Sequence, residues 1–334
     1  MKKFFSVVLV ALMLLTAISF TACGDKVEEL KFGMGVYAYN EAATSADGDT
    51  TGKGETIATV AAVLVDKDGK IVKCEIDTAD CTVEYTSAGE AVAVAGFKTK
   101  YELGADYNMA AFGNDVNGDG VVKEWFEQVD AFESVAVGKT AEEVKALLGE
   151  NSYNGTDDVM AAGCTIGVSD FIFALEKAVN NAVVSTATAN DTLGVGIVSS
   201  VSNTNATEDA NGSIEIEITA VAAAKNADNK VVVCDTDVAT SAVAFDVKGA
   251  TVGESGAAIT TKKEQGAAYG MVSYGGAEKE WFEQAAAFNA ACAGKTADEI
   301  AALVVDGYGV ESLQTAGCTI AVSDIVNAAV KAAK

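Results

Sequence analysis

The chain is written twice. Gly33-Met34-Gly35-Val36 returns as Gly194-Val195-Gly196-Ile197, and Lys70-Ile71-Val72-Lys73-Cys74 returns as Lys230-Val231-Val232-Val233-Cys234. Lys123-Glu124-Trp125-Phe126-Glu127-Gln128 recurs letter for letter from Lys279 to Gln284. Gly138-Lys139-Thr140-Ala141 recurs from Gly294, and Ala162-Gly163-Cys164-Thr165-Ile166 recurs from Ala316, with the blocks in the same order. A period of about 155 to 160 residues is far longer than a solenoid unit and suits a globular domain. The 334 residues are enough for two such units. The boundaries expected are a first repeat over 33–182, a linker over 183–192 rich in Ala, Thr, Ser and Asn, and a second repeat over 193–334.

Each repeat reads as strands and then helices. Residues 57–65 are apolar and rich in β-branched side chains, Asp66-Lys67-Asp68-Gly69-Lys70 carries turn chemistry, and 71–77 alternate, which predicts a hairpin. Ala227-Asp228-Asn229-Lys230 marks the same turn in the second repeat. Trp125, Val129, Phe132 and Ala136 fall at helical spacing, as do Trp281, Ala285, Phe288 and Cys292. Thr140 with Glu143, and Thr296 with Glu299, spell capping boxes that start a second helix. A third helix shows one apolar face at Phe171, Ala174, Leu175, Ala178 and Val179, matched by Ile325, Ala328, Ala329 and Ala332. The fold class expected is α+β, two repeated domains, each an antiparallel sheet followed by helices.

The N-terminus reads as an address. Lys2 and Lys3 precede an apolar run from Phe4 to Phe20, which ends in Thr21-Ala22-Cys23-Gly24. That order describes a secretory signal over 1–22. Cys23 after small residues resembles the lipobox of bacterial lipoproteins, in which the cysteine is lipidated and becomes the new N-terminus. The expectation is a tether over 23–32 and a body held at the extracytoplasmic face of the cell membrane.

Composition then excludes chemistry. There is no His and, reading along the chain, no Arg; all 23 basic residues are Lys. Histidine-based triads, His-ligated metals and guanidinium clamps on phosphate or carboxylate are therefore ruled out, leaving backbone N–H groups, hydroxyls or Lys for any anion. A net charge of −25 argues against nucleic acid as a partner. Six cysteines follow Cys23: Cys74, Cys81, Cys164, Cys234, Cys292 and Cys318. Cys74 alternates with Val72 and Ile76 in a strand pattern, and Cys292 stands on an apolar helix stripe. Buried free thiols are expected in preference to disulfides.

Three motifs tempt. Gly138-Lys139-Thr140 ends like a phosphate-binding loop, but Glu133 stands where its leading Gly belongs, and the capping box explains the residues. Asp115, Asn117 and Asp119, with Gly120, match the first half of a calcium loop. Its closing position is Phe126, so a solvated acidic turn is the expectation. The Trp125 and Trp281 helices are read as core anchors that could also wall a ligand site. Ala-Gly-Cys-Thr-Ile, a few residues before a helix near Asp170 or Asp324, suits anion capture by backbone N–H groups.

The Asp-Gly-Lys hairpin, the Gly-Lys-Thr helix and the Ala-Gly-Cys-Thr-Ile block before an amphipathic helix together resemble the FMN-binding domain family. That family includes flavin-bearing subunits of sodium-pumping NADH:quinone reductases and Rnf complexes, and lipoproteins of extracellular electron transfer. The resemblance implies FMN as cofactor, with Gly163, Cys164 and Thr165 in the first repeat and Gly317, Cys318 and Thr319 in the second as binding residues. Thr165 and Thr319 fall where the family attaches flavin through a phosphodiester. Ala162 and Ala316 replace the expected Ser or Thr, and Cys164 and Cys318 replace Ala, which argues against covalent attachment. The function expected is a membrane-anchored flavin-binding lipoprotein that carries electrons to a redox partner in the cell envelope. The alternative is a non-enzymatic surface lipoprotein of the same shape, without flavin, that binds a small solute or a partner protein.

Overall fold

A computed structural model describes residues 30–41, 43–94, 96–113, 122–253 and 256–334. The signal sequence, Cys23 and the acidic turn with Asp115, Asn117 and Asp119 lie outside the described residues. The first part of the chain comprises β1 (Lys31–Asn40), β2 (Gly52–Val65), β3 (Ile71–Tyr85), α1 (Lys100–Leu103), α2 (Met109–Phe112), α3 (Trp125–Ala136), α4 (Ala141–Lys145), α5 (Asp157–Ala162), α6 (Ser169–Asn180) and β4 (Val183–Val184). The second comprises β5 (Thr192–Thr204), β6 (Gly212–Lys225), β7 (Val231–Phe245), β8 (Thr251–Val252), α7 (Lys262–Gln265), α8 (Trp281–Cys292), α9 (Ala297–Ala301), β9 (Val304–Val305), β10 (Tyr308–Gly309), α10 (Glu311–Thr315) and α11 (Ser323–Ala332). The architecture is mixed, with two four-stranded antiparallel sheets ordered β3-β2-β1-β4 and β5-β6-β7-β8, and helices beside them.

Both long hairpins form where turn chemistry interrupts the apolar runs. The ladder between β2 and β3 slips at Leu64/Val65, and that between β6 and β7 slips at the matching Ala224/Lys225. The slip changes one expectation. Cys74 and Ile76 face the helices, but Val72, two residues earlier, packs on the opposite face. An extra residue in one strand turns the side chains before it to the other side.

Residues 58–65 of β2 are buried without alternation, because both faces of the strand are covered. Ala58, Val60, Ala62 and Leu64 meet Ile214, Ile216, Ile218 and Ala220 of the other sheet in one apolar core. Ala61, Val63 and Val65 meet Trp125, Phe132 and Leu175 of the helices. The layers are therefore helices, sheet, sheet, helices. Where β3 and β7 end, Tyr85 and Phe245 stack with ring centroids 4.5 Å apart. Around the rim, Lys177 pairs with Glu264 and Lys331 with Glu102, each at 2.7 Å.

The repeated Gly-x-Gly of β1 and β5 has a steric cause. A Cβ on Gly35 would run into the carbonyl oxygen of Ala174 in α6, and one on Gly196 into that of Ala328 in α11. Strand and helix meet backbone to backbone there. Gly138 and Lys139 hold the hairpin: the Gly138 N–H donates to Ile71 O and the Ile71 N–H to Lys139 O, at 2.8 and 2.9 Å, and Gly294 and Lys295 repeat the pattern on Val231. Residues 183–192 carry β4, paired to β1, and a turn in which Asp191 accepts from the Thr188 N–H at 2.7 Å. No helix among the described residues is long and apolar enough to cross a membrane.

Candidate functional site

Two clefts lie at matching places, each between a sheet and the start of the Trp helix. The first, of about 330 Å³, is walled by Tyr39, Lys100, Tyr107, Trp125, Thr165 and Phe171 among others. The second, of about 270 Å³, is walled by Glu217, Lys262, Tyr269, Trp281, Ile320 and Ile325 among others. Both stand near the lower end of ordinary small-molecule sites, about 300 Å³.

Buried carboxylates position the lysines. Asp77 accepts the N–H groups of Thr78 and Tyr101 at 2.7 and 3.2 Å, and Asp237 accepts those of Val238 and Lys263 at 2.8 and 3.0 Å. Thr99 with Glu102, and Thr261 with Glu264, close capping boxes on α1 and α7. These contacts pin each short helix to its strand with Lys100 or Lys262 in the cleft. Burial pushes both aspartates up to about 6, against the pull of those hydrogen bonds. Sequence reasoning missed both, although Asp77 and Asp237 recur at the same offset as the cysteines three residues before them.

The letter-for-letter repeat is a clamp on the cleft wall. The Gln128 Oε1 accepts both the Thr165 N–H at 2.9 Å and its hydroxyl at 3.1 Å, while its Nε2 donates to Lys123 O at 3.1 Å. Gln284 does the same for Thr319 at 2.9 and 3.0 Å and for Lys279 O at 3.0 Å. Glu124 and Glu280 accept the N–H groups of Met109 and Met271, each at 2.9 Å. Trp125 and Trp281 are 2% and 4% exposed, so each anchors a core while one edge reaches the cleft.

The Gly-Cys-Thr block is thereby placed in full. Gly163 and Gly317 end α5 and α10 at φ 104° and 100°, a left-handed backbone that favours glycine. Their N–H groups donate to Met160 O and Gln314 O, and those of Cys164 and Cys318 to Val159 O and Leu313 O. With the threonine N–H groups held by Gln128 and Gln284, the three amides of each block are all engaged. The threonine hydroxyls donate to the same glutamines, so an anion at the block is left with Lys123 or Lys279, whose side chains lie against Gly163 and Gly317. Thr165 is half-buried in the first cleft, whereas Thr319 is exposed.

All six cysteines of the body are free thiols. Burial pushes Cys81 and Cys164 up to about 12 and Cys318 to about 11, so they stay protonated and unreactive near neutrality. No group of three or more acidic or thiol side chains among the described residues could hold a metal ion. Near the first cleft, Asp170 accepts from the Tyr39 hydroxyl and from Ser169 Oγ, both at 3.1 Å, which turns its charge onto partners at the start of α6.

No protein-family model, curated protein or solved structure matches this chain.

Proposed function

We propose that the chain is a lipid-anchored extracytoplasmic protein, one domain used twice, that holds FMN without a covalent bond in its Trp-walled cleft and carries electrons to a partner in the cell envelope. The observation behind this reading is the position of Thr165: the residue that the flavin-binding resemblance singles out lies in a cleft walled by Trp125, Tyr107 and Tyr39. The fit is good for a ring system and tight for the whole nucleotide, since about 330 Å³ covers the ring and leaves the phosphate at the mouth. Trp125, Tyr107 and Lys100 would hold the ring, and Lys123, beside the Thr165 block, the phosphate end. Bound FMN would supply one- and two-electron transfer. The residues of the cleft bind it, orient it and keep bulk water off one face.

The test uses the mature body, residues 24–334, titrated with FMN and followed by flavin and Trp fluorescence. Uptake that survives gel filtration, and release of free FMN on denaturation, is the result expected. Thr165→Val lowers the affinity. A second reading is favoured by the engagement of all three amides and the hydroxyl in each block: a non-enzymatic lipoprotein whose cleft takes another small solute. Absence of FMN uptake, together with absence of covalent flavin after coexpression with a flavin transferase, would leave that second reading standing.

A further inference from the structure

We infer that the two clefts are unequal and that only the first takes ligand, a planar aromatic molecule whose anionic or carbonyl edge faces Lys100. The inference rests on the binding reading above and narrows it to one site with one cation.

The cations differ first. Lys100 lies 5.1 Å from the Tyr107 ring centroid and 5.8 Å from that of Trp125, with its carboxylate neighbour Asp80 at 3.8 Å. Asp80 is itself hydrogen-bonded to Glu55, which that bond and burial push up to about 7. Lys100 is thus a cation held between aromatic faces, with a carboxylate neighbour already engaged elsewhere; Glu41 and Asp170 also line this cleft, Asp170 turned onto Tyr39 and Ser169. In the second cleft Lys262 also lies over a ring, 5.4 Å from the Tyr269 centroid, but it closes on Glu217 at 2.7 Å. Glu217 pairs with Ser200 across the sheet where, in the first half, Ile57 pairs with Tyr39. One exchange, Ile57 for Glu217, gives the second lysine an internal counter-ion, and an incoming anion would have to displace a partly desolvated ion pair.

The walls differ next. Tyr39 and Phe171 in the first half correspond to Ser200 and Ile325 in the second, so the first cleft has Tyr39, Tyr107, Trp125 and Phe171 where the second has Tyr269 and Trp281. Aromatic surface on several sides selects a planar ring over an aliphatic chain. The rim differs too. The Tyr153 ring lies directly over Gly167, where a Cβ would collide with it, and so forms part of the first wall. Ala321 holds the matching place in the second half, bridged by Tyr308, which is 53% exposed. Ala321 carries the Cβ that at Gly167 would collide with the Tyr153 ring.

The experiment measures stoichiometry and which lysine matters. The mature body is titrated calorimetrically with FMN and, separately, with naphthalene-2-sulfonate, a flat anion that is not a flavin. One equivalent is expected. Lys100→Met lowers its affinity about tenfold or more, by loss of the cation. Ile57→Glu, which installs the second half's counter-ion, does the same, and Gly167→Ala weakens binding by displacing Tyr153. Lys262→Met and Glu217→Ile leave that equivalent within about twofold. Circular dichroism melts of each variant report folding, and the two opposed substitutions keep the outcome readable if one of them fails to fold. Binding of two equal equivalents, or loss with Lys262→Met and retention with Lys100→Met, overturns the inference while leaving the flavin reading intact. Sulfonate binding that depends on Lys100, without FMN binding, upholds the inference and removes the flavin. Binding of neither probe overturns both.

Discussion

Replacing Glu133 by Gln stabilises the protein at neutral pH and above and has only a small effect near pH 5. Glu133 sits on α3 against β3, and its Oε1 accepts the Ile76 N–H at 2.7 Å. Burial is the main cause that lifts it, the charge of Glu75 adds to that, and the Ile76 bond pulls the other way; the outcome is about 9 against an ordinary 4.5. The sign follows from linkage. A carboxyl held above its unfolded value keeps its proton in the fold while the unfolded chain ionises, so stability is complete below about 4.5 and is lost progressively as pH rises toward 9. From 4.5 to pH 7, at about 1.4 kcal/mol per pH unit, the loss is about 3 kcal/mol. Gln keeps an acceptor for the Ile76 N–H and has no proton to lose. Urea unfolding followed by Trp fluorescence at pH 5, 6, 7 and 8 reads the effect. The two proteins should differ by less than about 1 kcal/mol at pH 5 and by about 3 kcal/mol at pH 7, with Gln the more stable. Parallel pH profiles, or a Gln variant less stable than the parent at pH 8, would refute the reasoning.

Other consequences can be checked as directly. Gln128→Leu leaves the Thr165 N–H without its acceptor and should cost about 1–3 kcal/mol in urea unfolding, with Gln284→Leu matching it in the other half. Gly35→Ala forces α6 away from β1 and should destabilise by about 1–3 kcal/mol or more, read as a lowered melting temperature. In native protein the six body thiols should resist iodoacetamide, and all six should be alkylated in denaturant, as mass spectrometry would count.

Local features of the fold were legible in the sequence. The hairpins, the Trp125 and Trp281 stripes, the capping boxes at Thr140 and Thr296 and the apolar faces of α6 and α11 all follow from spacing, and the structure has each of them. The face of Val72 was not, since alternation cannot show a slip that depends on the partner strand. The packing of sheet on sheet had a signal in the unbroken apolar run at 58–65, but such a run does not say what covers each face. At the candidate site the repeat pointed to Thr165, which the cleft contains. It could not separate Thr165 from Thr319, because their difference lies in Ile57 against Glu217 and Tyr39 against Ser200, far away in sequence. Lys100 and Asp77 escaped notice because the contacts that give them roles join β3 to α1 across a connection.

The stacking of the two sheets has a consequence for cooperativity. A chain cut within 185–190 would yield two pieces, each with a complete helical layer and a bare apolar wall: Val60, Leu64, Val83 and Tyr85 on one, Ile214, Ile216, Ile218 and Phe245 on the other. Neither wall tolerates water on its own. Mixed together, the pieces should reassociate as a non-covalent heterodimer and melt in a single transition that depends on concentration. Such a transition would make what reads as two units along the chain one body in its thermodynamics.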